Sequence, residues 1–384
     1  MVHVVLQAYK PFSPCTTLTF AGSSNYVAGP SSTPTSVTEA DVNGDGKLDI
    51  IVANKASNTI GVLLNSGDGT FPAQAVLTQV AGATGPVSVT TADVNSDGKL
   101  DIIAAYSTSD NIGVLLNSGT GTFSAAQAVL TQVNSATGPM SVTTADLNGD
   151  SKADIIVAYS TSNHVGVLPN SGTGTFPAAQ AVLTQVTGAT GPVSVTTADV
   201  NGDSKADIIA AYSTSNHVGV LPNSGTGTFP AAQAVLIQVA GATGPVSVTT
   251  VDVNGDSKAD IIAAYSTSNN VGVLLNSGTG TFSAAKASTY GLLANSAPAS
   301  VTIADANGDG KLDIIVANKD TNNFGVVVGN GDGTFAASQV TYSTGAGTQP
   351  VSVVAGDVNG DGRADIAVAD SGTNTVGVFL AVCT

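Results

Sequence analysis

Apolar residues along this chain fall in short β-branched bursts separated by Gly, Asn, Asp, Ser and Thr. One stretch shows the order. An alternating segment, Val142–Asp146, precedes a polar loop, and an apolar run, Asp154–Tyr159, follows it. A polar turn, Ser160–His164, leads to Val165–Leu168; a glycine-rich turn, Asn170–Thr175, then leads through Phe176 to a last segment, Ala181–Gln185. Short β-branched runs bounded by turn residues predict strands, and no window carries the 3.6-residue helical period. The unit reads as a four-stranded antiparallel sheet.

That unit returns seven times. Its polar loop is a nine-residue pattern starting at Asp41, Asp93, Asp146, Asp199, Asp252, Asp305 and Asp357, at intervals of 52 or 53 residues. Four strands per repeat at this period predict an all-β, seven-bladed β-propeller. A parallel β-helix with calcium-binding turns is the alternative, but its repeats are much shorter, about nine residues. Blades are expected at 34–85, 86–138, 139–191, 192–244, 245–297, 298–349 and 350–384, within a single propeller spanning 16–384 after an N-terminal segment, 1–15. The last repeat ends at its third strand, Gly377–Leu380, while Phe20–Tyr26 aligns with the outer strand Phe335–Tyr342. Residues 16–33 should therefore complete blade 7, closing the ring and removing an open edge. The only cysteines, Cys15 and Cys383, flank the place where other blades have one tight hairpin, so a Cys15–Cys383 disulfide is expected. Such a bond implies an oxidising, extracytoplasmic setting.

The loops carry the candidate chemistry. Calcium takes six to eight oxygen ligands from carboxylates, amides and backbone carbonyls. In blade 1 the donors would be the side chains of Asp41, Asn43, Asp45 and Asp49 with the Lys47 carbonyl. The same positions 1, 3, 5, 7 and 9 are Asp93, Asn95, Asp97, Lys99 and Asp101 in blade 2, and Asp146, Asn148, Asp150, Lys152 and Asp154 in blade 3. Blade 4 has Asp199, Asn201, Asp203, Lys205 and Asp207; blade 5 has Asp252, Asn254, Asp256, Lys258 and Asp260. Blade 6 has Asp305, Asn307, Asp309, Lys311 and Asp313, and blade 7 has Asp357, Asn359, Asp361, Arg363 and Asp365. Up to seven Ca²⁺ ions are expected. Magnesium wants a stricter octahedron, and loops without Cys or His do not suit zinc. Position 6 is Gly in four blades but Ser151, Ser204 and Ser257 in the others, which should strain or weaken those loops. Plain Asn-Gly and Asp-Gly turns are the other reading; three aspartates within nine residues would then repel one another without a cation.

Charge changes the picture little. The net charge of −16 is mostly ligand charge, since 21 of 27 acidic residues are loop aspartates, and seven divalent ions would bring it to −2. Only 11 basic residues occur and seven of them sit at loop position 7, leaving no stripe for nucleic acid. No apolar run approaches the ~20 residues of a membrane span.

The run Asp-x-Asn-Gly-Asp-Gly-Lys-x-Asp-Ile-x-Val-Ala, followed by Val-Gly-Val-Leu and Gly-x-Gly-Thr-Phe, resembles the FG-GAP/VCBS repeats of the integrin α-subunit propeller and of secreted bacterial proteins. The resemblance covers about residue 16 to the end. It implies metal in the hairpin between the two inner strands on one face of the disc, ligand-binding loops on the other, and calcium-supported adhesion or recognition by a secreted or cell-surface protein. The partner would be an extracellular protein or glycan, and the chain a monomer. On the face opposite the metals, Tyr106, Tyr159, Tyr212 and Tyr265 are candidate ligand contacts, unless they pack between blades. His164 and His217 read as solvated turn residues, and Glu39, the only glutamate, as a tolerated variant on an inner strand. Near-identical blades supply acid–base pairs poorly, so an enzyme is not expected. A multivalent lectin, or a propeller accessory to a secreted enzyme, is the alternative.

Overall fold

A computed structural model describes residues 18–21 and 24–383. Seven four-stranded antiparallel sheets follow one another in sequence order. Blade 1 consists of Pro34–Ala40, Asp49–Asn54, Thr59–Leu63 and Val76–Thr78, from the axis outward. Blades 2 to 6 repeat this plan with inner strands Pro86–Ala92, Pro139–Ala145, Pro192–Ala198, Pro245–Val251 and Pro298–Ala304. Helix among the described residues is confined to four single 3₁₀ turns, at Ala125–Gln127, Ala178–Gln180, Ala231–Gln233 and Ala284–Lys286. None is long and apolar enough to cross a membrane.

The second strand of every blade is buried along its whole length. Its apolar run is continuous because both faces are covered by neighbouring blades. Ile155, Val157 and Tyr159 pack on blade 2, while Ile156 and Ala158 pack on blade 4. The core is thus seven inter-blade layers.

Ring closure follows the sequence. Pro350–Gly356, Asp365–Asp370 and Thr375–Phe379 form blade 7, and the N-terminal Ser24–Val27 joins as its outer strand, Tyr26 opposite Val376. A second pairing was not expected: Leu18–Phe20 lies antiparallel to Ala381–Cys383, in the place of the hairpin turn of the other blades. Leu18 stands opposite Cys383 in that ladder. Cys15, the other half of the expected disulfide, lies outside the described residues.

An inner strand leaves one edge facing the axis, and its N–H groups need partners. A serine at the third position of each inner strand supplies them. Val89 N–H donates to Ser36 Oγ, Val142 to Ser88, Val195 to Ser141, and so on around to Val37, which donates to Ser352 at 3.2 Å. The links from Val248, Val301 and Val353 complete a seven-membered ring.

Candidate metal centre

Each acidic loop joins an inner strand to the second strand, so all seven lie on one face of the disc. Position 1 organises the turn. In blade 1, Asp41 Oδ1 accepts from the Gly44 and Asp45 amides at 2.7 and 3.1 Å, and Oδ2 from Gly46 at 2.8 Å. Asn43 Oδ1 accepts from Asp45 N–H, and Asp45 Oδ1 from Lys47 N–H. The position 1 to position 6 bond is present in every blade, including those to Ser151, Ser204 and Ser257. Those serines sit at φ of 63–64°, in the left-handed region that disfavours a side chain by roughly 1–2 kcal/mol. Position 4 has the same requirement, so Ser96 (φ 62°) adds a strained site in blade 2 that the sequence reading missed.

Position 9 is different in kind. Asp49 is fully buried; its Oδ2 accepts from Val42 N–H at 3.0 Å and its Oδ1 from Asn65 N–H at 2.8 Å. Burial, with the charges of Asp45 and Asp41, lifts its carboxyl to about 6 despite those two bonds. The corresponding carboxyls of blades 2, 3 and 5 are raised for the same reasons. Asp207 reaches about 6, and Asp313 and Asp365 about 7. The loop lysines do not relieve them. Lys47 lies 3.7 Å from Asp45 and donates to Ser66 O, and Lys99, Lys152, Lys205 and Lys258 pair likewise with position 5. These exposed pairs contribute little. Among the described residues, none of these pairs reaches position 9 in blades 1 to 5.

The donor set suits a hard cation: carboxylates, an amide oxygen and a carbonyl, with no sulfur or nitrogen. Asp41 Oδ2, Asn43 Oδ1, Asp45 Oδ1 and both Asp49 oxygens each accept one amide bond and keep a second lone pair, whereas Asp41 Oδ1 already accepts two. Three acidic, histidine or cysteine side chains do not converge into a ready-made cage anywhere among the described residues. The donors are strung along the turn, and Asp41, Asn43, Asp45, Asp49 and the Lys47 carbonyl would hold an ion by closing on it.

The opposite face corrects one expectation. Tyr106, Tyr159, Tyr212 and Tyr265 are at most 1% exposed and cannot touch a ligand at the surface. Each ring lies against the glycine of its blade's third strand; a Cβ at Gly166 would come within 2.7 Å of Tyr159. They fill inter-blade layers, and burial pushes their hydroxyls far up. The turns beyond them are also structural. Asn163 Oδ1 accepts from Gly191 N–H at 2.8 Å, tying the connection between blades 3 and 4 to the turn of blade 3. The equivalents Asn58, Asp110, Asn216, Asn269, Asn322 and Asn374 do the same, completing another ring of seven.

Glu39 is not a spare residue. Burial, then the charge of Asp365, lifts its carboxyl to about 8, and a Cβ on Gly356 would overlap its carboxylate. Glu39 and Gly356 fit one another at the seam between blades 1 and 7. His164 and His217 begin the third strands of blades 3 and 4, where they pair with Tyr159 and Tyr212.

The family of the fold is decided by the repeats. The FG-GAP-like repeat model matches residues 41–104, 93–157, 146–210, 199–263, 252–316 and 305–368, and the chain belongs to that family. No curated protein is significantly similar to it in sequence. Among solved structures it is similar to a streptogramin B lyase (17% identity, TM-score 0.66, 94% of this chain and 98% of that one). It is also similar to virginiamycin B lyase from Staphylococcus aureus (15%, 0.65, 95% and 100%). A lectin from Agrocybe aegerita that recognises non-reducing terminal N-acetylglucosamine matches at 20% identity and TM-score 0.50 over 88% of this chain and 86% of its own. At such identities these likenesses describe the propeller, and a propeller hosts unrelated functions.

Proposed function

We propose that this chain is a calcium-held recognition module that works outside the cytoplasm and presents its loops to a protein or glycan partner without catalysing a reaction. One observation carries the metal reading. Seven position-9 aspartates, each 0–1% exposed, lie within range of two further carboxylates of their own loop. A buried carboxylate without a counter-charge is costly, and its position is stabilised when a cation is coordinated there. Calcium matches this all-oxygen donor set. The recognition reading rests on the FG-GAP-like repeats.

A melt of the chelator-stripped and calcium-saturated protein, paired with metal analysis, tests this. At a hundredfold excess over Kd each ion adds about 2.7 kcal/mol, so several ions should raise Tm by more than ~10 °C. No bound metal and no shift would leave the loops as turns and remove the calcium-dependent reading. Four near-copies, blades 2 to 5, favour a multivalent lectin as the second reading; clear binding on a glycan array would select it.

A further inference from the structure

The acidic loops are wired to one another. In blade 2, Asn117 follows the third strand; its N–H donates to Asp101 Oδ1 at 2.8 Å. Its side-chain amide donates to Leu100 O of its own loop at 2.8 Å and to Val42 O of the blade 1 loop at 2.7 Å. Val42 in turn fixes Asp49 through its own N–H. An unbroken path therefore runs from Asp49 through Val42 and Asn117 to Asp101.

The same step repeats. Asn170 joins the loops of blades 2 and 3 through Val94 O, and Asn223 joins blades 3 and 4 through Leu147 O, each at 2.9 Å. Asn276 joins blades 4 and 5 through Val200 O, also at 2.9 Å. Asn65 joins blade 7 to blade 1 through Val358 O at 2.7 Å. These asparagines are 4–5% exposed, and the aspartates they meet are 0–1% exposed. The path thus links Asp365, Asp49, Asp101, Asp154, Asp207 and Asp260. Blade 6 lacks the asparagine step; its glycine-rich turn meets the blade 5 loop only through the backbone, Gly333 N–H donating to Val253 O at 3.2 Å, as Gly174 and Gly280 do to Val94 and Val200. Gly329 and Ala381 occupy the asparagine place in blades 6 and 7, and their N–H groups hold Asp313 and Asp365 without a side chain to reach back. The serine ring and the turn-asparagine ring each have seven members; this one alone is open.

We infer that cation binding at the six linked loops is cooperative and that the loop of blade 6 binds independently. The inference rests on the calcium reading. A loop closing on an ion would add its position-9 carboxylate to the ligands, and that carboxylate is held by the N–H of a residue whose carbonyl the next blade's asparagine grips. Ordering one loop pre-orders its neighbour, so the second ion meets less conformational cost. Buried hydrogen-bonded chains transmit such changes because each member has no water to turn to. The asparagines are positioning residues and bind no ion themselves.

Calcium isotherms of the intact chain separate the possibilities. Asp146→Ala, in the linked loop of blade 3, should lose one ion and weaken the remaining linked sites about fivefold, the lower end of ordinary coupling. Asp305→Ala, in blade 6, should lose one ion and leave the rest unchanged. Asn170→Ala should keep the stoichiometry and lower the Hill coefficient; Gly and Ala already stand at this place in two blades, so the fold accepts the change. Equal effects of Asp146→Ala and Asp305→Ala, or an unaltered isotherm in folded Asn170→Ala, would overturn the coupling while leaving calcium binding intact. A wild-type chain that binds no calcium would overturn both readings.

Discussion

Blades 2 to 5 and the seam around blade 7 solve one packing problem in two ways. In the inner blades a tyrosine lies over the third-strand glycine and fills the gap to the neighbour, all from one repeated stretch of sequence. At the seam the tyrosine position is Asn318 in blade 6 and Asp370 in blade 7. The missing aromatic volume comes from elsewhere. Phe20, Phe324, Tyr342 and Phe379 form a cluster with centroids 4.7–5.2 Å apart, and Tyr342 Oη donates to Leu18 O. Tyr26 packs edge-on against Phe71 of blade 1 at 5.3 Å. The inner blades are stabilised by local repetition, the seam by contacts between the chain's two ends.

This contrast predicts its own failures. Tyr26→Ala should break the seam most, since Tyr26 is 8% exposed and belongs to the layer between blades 7 and 1. A loss of roughly 3–5 kcal/mol is expected in urea unfolding, with association through the loosened edge. A loss below ~1 kcal/mol would mean the N-terminal strand is decoration.

Asp370→Asn sharpens the comparison through pH. Burial raises the Asp370 carboxyl from 3.8 to about 7, and it is fully buried. Folding therefore takes up a proton between those values, so stability falls as pH rises from about 4 to 7. By linkage the loss is at most roughly 4 kcal/mol. Asparagine, already present at Asn54 and Asn318, should flatten the slope of unfolding free energy between about pH 4 and 7. A slope identical in wild type and variant would assign it to other groups.

The smallest effect belongs to the inner blades. The Tyr159 hydroxyl has no hydrogen-bond partner among the described residues. Tyr159→Phe should therefore leave stability unchanged or raise it within about 1 kcal/mol. A clear loss would reveal a partner that the hydroxyl needs.

Much of this was readable in advance. Asp154–Tyr159 is a strand with the bounds its apolar run suggested, and Ser24–Val27 took its place in blade 7 as the alignment with Phe335–Tyr342 implied. The four tyrosines had two readings, as ligand contacts or as packing between blades, and burial selects the second. They sit next to hydroxyl- and amide-rich turns, and composition alone puts such a cluster at a surface. Gly166, facing Tyr159 across the sheet, was the signal that the ring folds inward, and it lies seven positions further on.

The sequence by itself determined what repeats: the strand order, the blade number, the acidic loops and the family. A period of 53 residues copied along a chain leaves little freedom, because each unit must bury both faces of its second strand against a like unit. Only the tertiary structure decided what differs between like residues. Asn117 and Gly329 occupy the same place, yet one reaches 2.7 Å across a blade boundary and the other has nothing to reach with. Those contacts join residues about 75 positions apart, a separation that closing the ring brings within hydrogen-bond distance.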